Sequence, residues 1–203
     1  MWEVLSAADR EVRGALFESM HQDRKRVFVD WLGWDLPHHG GLEIDAYDDA
    51  AAVYLVEADP VTGLHRGSVR LLRTDRGHIL ADLFPDLCEG PVPRGGRIRE
   101  ITRMCVSPDC APEDRRDVRR MLATMLVRHA VATGIERYTA VTDMGFLSRV
   151  AAAGWRCRAL GLPRTLGGQS IGAMMIEIDG SSLSDLRASG TLLDADPRRA
   201  LAA

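Results

Sequence analysis

The sequence predicts an α/β or α+β fold, a mixed β-sheet flanked by helices. Two observations carry this. Strand-like segments first follow one another as hairpin neighbours and then alternate with helical segments. The clearest amphipathic helix also sits directly after a strand. A third observation sets the scale: 203 residues suffice for one domain with a full core. No linker is long enough to divide them, so residues 1–203 are expected to form a single domain.

Residues 2–5 suit a short first strand. Over residues 9–28, Val12, Leu16, Met20, Val27 and Phe28 suit one or two helices. Residues 32–41 carry Gly33, Pro37, Gly40 and Gly41 and read as a loop. Residues 51–57 and 67–72 read as hairpin strands turning at Asp59-Pro60 and Gly63. Residues 90–96 are a loop and 97–106 a strand. Pro108 and Pro112 then precede a helix, with Glu113 and Asp114 expected in its first turn. Val118, Met121, Leu122, Met125, Leu126 and His129 fall at helical spacing along it. Residues 138–141 read as a buried strand, 145–153 as a short helix stopped by Gly154, and 155–160 and 171–178 as the last strands. Patterning weakens after Asp179, and the tail from about residue 181 is expected to be partly disordered.

Composition narrows the function classes. Hydrophobic content of 46% and charged content of 27% are ordinary for a soluble globular protein. A net charge of −3 gives no general affinity for nucleic acid or an anionic membrane. The first residues are too quickly charged for a signal peptide, and no apolar run approaches the ~20 residues that span a bilayer. A cytoplasmic protein without membrane insertion is expected. Cys88, Cys105, Cys110 and Cys157 form no C-x-x-C pair and read as reduced thiols. His38-His39 reads as a solvated loop pair, and no metal is expected, because a closed site needs about four ligands.

The charged residues between Arg24 and Arg103 carry the chemistry. Arg24, Phe28 and Trp34 precede Glu43, Asp45 and Asp48, three carboxylates within six positions. Alone, this segment fits a solvated acidic turn with a tryptophan packed over it. Arg70, however, lies in an apolar strand, and Glu100 and Arg103 lie in the strand of residues 97–106. Charges in central strands are costly unless paired or functional. These residues are therefore either fold-stabilising ion pairs or a polar site.

The pattern Arg24-x3-Phe28-x5-Trp34, Glu43-x-Asp45-x2-Asp48, Arg70-Leu71-Leu72, Phe84 and Glu100-x2-Arg103 resembles the acyl-homoserine lactone synthases of the LuxI type. These are the autoinducer synthases of bacterial quorum sensing. The resemblance covers about the first half of the chain and continues more loosely through Val141-Thr142 and Gly154-Trp155. It implies a fold like the GCN5-related N-acetyltransferases, a three-layer sandwich around the mixed sheet. It also implies an acyltransferase. The acyl chain passes from acyl carrier protein, or in some members acyl-CoA, to the amine of S-adenosylmethionine. The methionyl part then lactonises and methylthioadenosine leaves. S-adenosylmethionine is a substrate, so no cofactor is expected, and a monomer is the expected state.

The residue types suit that chemistry. Glu100 is the candidate base for the α-ammonium, and Arg103 joins it as a catalytic candidate. Arginine matches the substrate carboxylate, from Arg24, Arg70 or Arg103. Acids and aromatics suit the sulfonium, from Asp45, Asp48, Phe28 and Trp34, with Glu43 and Phe84 in support. Asp48 with Arg70, or Arg24 with Asp45, are candidate ion pairs. Glu100 and Arg103 are three apart and would face opposite sides of a regular strand. A bulge near Ile101-Thr102 would bring both to one cleft.

Met104, Leu122, Met125, Val141, Thr142, Phe146 and Val150 are candidates for an acyl slot, set against plain core packing. Thr142 matches a family position that bears on 3-oxo-acyl preference, although Asp143 beside it departs from the family. Arg73 is a second departure, standing where the family often has proline. Arg115, Arg116, Arg119, Arg120 and Arg149 form either a dock for acidic acyl carrier protein or a solvated face. Two alternatives remain. One is an acetyl-CoA-dependent acetyltransferase, which the glycine-free stretch 107–116 opposes. The other is a catalytically silent carrier-protein-binding paralogue, which the intact Glu100 and Arg103 oppose.

Overall fold

The computed structural model describes residues 1–193. In chain order the elements are β1 (Trp2–Ser6), a 3-10 turn (Ala7–Arg10), α1 (Gly14–Arg24) and a π-helical stretch (Lys25–Trp31). The small hairpin β2 (His38–His39) and β3 (Leu42–Glu43) follows, then β4 (Val53–Ala58) and β5 (His65–Arg73). After α2 (Ile79–Leu83) come β6 (Ile98–Val106), α3 (Arg115–Thr133), β7 (Arg137–Asp143) and α4 (Met144–Ala152). The last elements are β8 (Cys157–Ala159), β9 (Arg164–Leu166), β10 (Gln169–Glu177) and α5 (Ser182–Ala188).

These elements group into two compact units, Met1–Arg70 with Arg103–Met125 and residues 192–193, and Leu71–Thr102 with Leu126–Thr191. The chain passes between them inside β5, β6 and α3, and once more after α5, from Thr191 to Leu192. The three crossings inside regular elements leave no linker for the sequence to show.

In the first unit the strand order is β1-β4-β5-β6. β1 runs antiparallel to β4, with Val4 opposite Leu55. Leu16, Phe17 and Met20 of α1 and Tyr54, Leu55 and Val56 of β4 are buried. Gly67 explains how closely α3 lies on β5. A Cβ there would stand 2.4 Å from Val118 Cγ1 and 3.4 Å from Leu122, so any side chain would push the helix away.

In the second unit the order is β5-β6-β7-β10-β8, with β9 also on β10. β6 and β7 are parallel, which the intervening helix α3 allows, and β10 is antiparallel to β7. Tyr138 of β7 donates its hydroxyl to the Leu126 carbonyl of α3 at 3.0 Å. Val141, on the alternate face of β7, packs with Phe84 against Leu80, Leu87 and Ala173.

The structure corrects several expectations. The loop of residues 32–41 contains β2, and α2, β9 and α5 were not foreseen. Each is too short to show a period. α3 begins at Arg115, so Glu113 and Asp114 precede it and Asp117 is its first-turn acid. Residues 182–188 of the tail expected to be disordered form α5, while residues 194–203 lie outside the described residues. Among the described residues, no helix is long and apolar enough to cross a membrane.

Candidate active site

The aromatic pair is built by local backbone geometry. α1 runs directly into the π-helical stretch, where Leu32 N–H bonds to the Val27 carbonyl five residues back. Such wider turns often mark functional sites. Gly33 then takes φ +66°, a left-handed turn that favours glycine. Trp34 N–H returns to the Phe28 carbonyl at 2.9 Å. The two rings stack with centroids 5.1 Å apart at 18°.

Behind this pair lies a closed network of opposite charges, all within the first unit. Arg24 donates twice to Asp48, at 2.8 and 2.9 Å, and its Nε donates to Glu43 at 2.6 Å. Arg70 forks onto Asp45 at 2.7 and 2.9 Å and also meets Asp48 at 2.8 Å. Arg103 completes the ring, to Glu43 at 3.1 Å and Asp45 at 2.8 Å. Three guanidiniums thus face three carboxylates. Burial alone would raise the proton affinity of Asp48, but bonded Arg24 and nearby Arg70 outweigh it and hold the carboxyl well below the usual range. Asp45 is likewise lowered, because Arg70 and Arg103 outweigh burial.

The ion-pair expectation was half right. Asp48 does pair with Arg70, but Arg24 takes Asp48 and Glu43 rather than Asp45. Arg24, Arg70, Glu43 and Asp48 are essentially inaccessible, whereas the Arg103 and Asp45 side chains are 9% and 8% exposed. The outward edge of the network is therefore Arg103 and Asp45. Arg103 also lies 5.7 Å from the centre of the Phe28 ring.

β6 runs as one strand over Ile98–Val106, and its irregular backbone lies at Arg103 rather than at the bulge expected near Ile101-Thr102. The φ of Arg103 is 50°, and among the described residues it is the one non-glycine with positive φ. A left-handed non-glycine residue costs roughly 1–2 kcal/mol, and such strain tends to collect at functional sites. β6 pairs with β7 from Ile98 to Ile101. Glu100, Ile101 and Thr102 are consecutively buried, as in a central strand covered on both faces.

Glu100 itself lies in the second unit, wholly buried. Its Oε1 accepts Leu80 N–H at 2.8 Å. Leu80 is in the first turn of α2, where helix amides lack intrahelical partners. The bond fixes the orientation of the carboxylate. Phe84, just after α2, packs against Leu80.

Other expected residues divide between uses. Leu122 and Met125 are fully buried core residues, and Val141 belongs to the Leu80 cluster. Met104, Thr142, Phe146 and Val150 are half-buried. Arg115 is bound to the Cys110 and Pro108 carbonyls, Arg120 to Asp117 and the Leu192 carbonyl, and Arg149 lies over the Phe146 ring. Arg116 and Arg119 are exposed. Arg149 is exposed as well.

Two supports of the network were missed. Tyr54 donates its hydroxyl to Asp48 at 2.8 Å. His21 bonds through Nδ1 to the Glu43 carbonyl at 2.9 Å, so Nδ1 carries the proton. Burial, then the nearby Arg24 charge, pulls the His21 pKa down to about 4. The stripe Phe17, Met20, His21, Arg24 at helical spacing was the signal available for it.

The chain is similar to known proteins in sequence and in fold. Residues 9–186 match the family model described as autoinducer synthase. The acyl-homoserine-lactone synthase of Ralstonia nicotianae is 34% identical over 181 residues, covering 86% of this chain and 88% of its own. A solved CoA-dependent acyl-homoserine lactone synthase, BjaI, with SAM and isopentyl-CoA, gives a TM-score of 0.82 at 25% identity. That match covers 100% of this chain and 99% of the other. A putative N-acetyltransferase from Lactobacillus plantarum, 15% identical over 88% of this chain and 99% of its own, shares the fold at a TM-score of 0.57. The expected mixed α/β fold with a large mixed sheet flanked by helices, like that of the N-acetyltransferases, is the one observed.

Proposed function

We propose the substrates and residue roles that follow from one premise: this chain belongs to the autoinducer synthase family and is an acyl-homoserine lactone synthase, an acyltransferase. The observation that carries the assignment is the closed ring of Arg24, Glu43, Asp45, Asp48, Arg70 and Arg103, faced by stacked Phe28 and Trp34. Its amine substrate is S-adenosylmethionine. The outward Arg103 fork receives the substrate carboxylate. Asp45 and the two rings receive the sulfonium. The buried members, Arg24, Arg70, Glu43 and Asp48, hold that edge in place.

Glu100 takes the proton that the α-ammonium must lose before it can attack. The freed amine forms a C–N bond at the acyl thioester carbonyl, the C–S bond breaks, and the thiol leaves with a proton. The substrate carboxylate then displaces the sulfonium from the γ-carbon, closing the lactone and releasing neutral methylthioadenosine. Holding that oxygen behind the carbon supplies much of the rate. The acyl donor is an acyl-CoA or an acyl carrier protein, and exposed Arg116, Arg119 and Arg149 are available to an acidic carrier. The reaction takes place in the cytoplasm.

Incubating the protein with S-adenosylmethionine and a panel of acyl-CoA and acyl-carrier-protein donors should release methylthioadenosine with at least one donor. No release with any donor would leave the silent-paralogue reading standing instead.

A further inference from the structure

Across the parallel pair of β6 and β7, Glu100 has Thr139 as its register partner. Register partners on neighbouring strands put their side chains on the same face of the sheet. The adjoining Tyr138 points to α3, as its bond to Leu126 requires. Val141, two residues beyond Thr139, points to Leu80. Thr139 therefore lies beside Glu100 on the face that α2 covers. It is wholly buried, and its Oγ1 has no hydrogen-bond partner among the described residues. An unpaired buried hydroxyl costs about 1–3 kcal/mol. Valine would fill the same volume without that cost, so packing alone does not account for a hydroxyl here.

We propose that Thr139 is a positioning residue for Glu100: its hydroxyl donates to the charged carboxylate, directly after a side-chain rotation or through one water. The inference rests on the reading of Glu100 as the base. Leu80 N–H holds one oxygen from the helix side. Thr139 steadies the group from the neighbouring strand and favours its charged, proton-accepting form. Thr139 does not touch the substrate in this scheme.

The test is the pH profile of kcat/KM for methylthioadenosine release, measured for the wild type, Thr139→Val, Thr139→Ser and Glu100→Gln. The substrate amine titrates identically in all four, so only differences between them are read. Losing the donor should move the acid limb of Thr139→Val up by about one pH unit. Activity at neutral pH then falls about tenfold and recovers in alkali, while Thr139→Ser keeps the wild-type limb. A Thr139→Val profile that is unmoved, or lowered equally at every pH, overturns the proposal. If the valine variant does not fold, Thr139→Ala is read in its place by the same criterion. Near-normal turnover by Glu100→Gln would overturn the base reading, and this inference with it. An inactive Glu100→Gln beside an unshifted Thr139→Val would remove only the role of Thr139.

Discussion

Asp48 and Glu100 are both buried acids, yet they are held by different means. Asp48 is ringed by charge, with Arg24 and Arg70 on its oxygens and the Tyr54 hydroxyl in addition. Glu100 accepts a hydrogen bond from the Leu80 amide, beneath α2 and beside an apolar cluster. A guanidinium neutralises a carboxylate and holds it charged, which suits a scaffold. An amide orients a carboxylate without neutralising it, which suits a group that must gain and lose a proton. The two regions therefore predict opposite mutational signatures: activity without stability at Glu100, and stability ahead of activity in the network.

Glu100→Gln is the largest expected effect. Glutamine retains an oxygen for Leu80 N–H but cannot take a proton. Turnover should fall by about 10²–10⁴-fold, with the thermal midpoint close to that of the wild type. Steady-state methylthioadenosine release beside a melting curve separates the two. A large loss of stability would place Glu100 with the scaffold and erase the contrast.

Asp48→Ala tests the other side. It leaves Arg24 and Arg70 with uncompensated buried charge, and such losses cost about 3–5 kcal/mol. Urea unfolding should show that drop, and activity should fall because the protein unfolds. If stability is unchanged, the ring does not support the fold.

His21 sharpens the comparison through pH. Its folded pKa is about 4, against about 6.5 for unfolded histidine. Between those values the unfolded chain binds the proton and the native one does not, so stability is lost as pH falls from about 6.5 toward 4. The full loss amounts to about 3 kcal/mol. Burial lowers His78 and His129 in the same direction, so His21→Gln should flatten the slope without abolishing it. Asp45 and Asp48 enter only below the ordinary aspartate pKa of about 3.9, so the two windows separate. Urea midpoints at pH 7 and 4.5 measure the difference, and equal slopes would show that His21 is not held neutral.

Much of this was legible in the sequence, for reasons that differ by residue. Residue types at family spacing identified Arg24, Asp48, Arg70 and Arg103 before any geometry. The three-residue step from Glu100 to Arg103 required an irregular backbone in β6, because strand side chains alternate. Which carboxylate meets which arginine was not legible, because those contacts are set by how α1, β3 and β5 pack together. Arg24 thus chose Asp48 over Asp45 for reasons outside any local pattern. The hold on Glu100 was hidden for another reason. It comes from the backbone amide of Leu80, and a main-chain donor leaves no residue type to read. Thr139 drew no notice in an apolar strand until the β6–β7 register set it beside Glu100.

The smallest expected effect lies at Trp34, where the charge network meets solvent. Trp34 is 37% exposed, whereas the Phe28 it stacks on is 5% exposed. Replacing it with leucine removes the ring stacked on Phe28, so stability should fall by about 0.5–1.5 kcal/mol. Binding should weaken too. A sulfonium over an indole gains about 0.5–2 kcal/mol, equivalent to a rise of roughly 2–30-fold in KM for S-adenosylmethionine, with kcat nearly unchanged. Trp34→Phe should recover part of that loss, because a ring face returns. A KM that is the same for tryptophan, phenylalanine and leucine would mean that the stacked pair serves the fold of the π-helical stretch. The sulfonium would then be held by Asp45 alone.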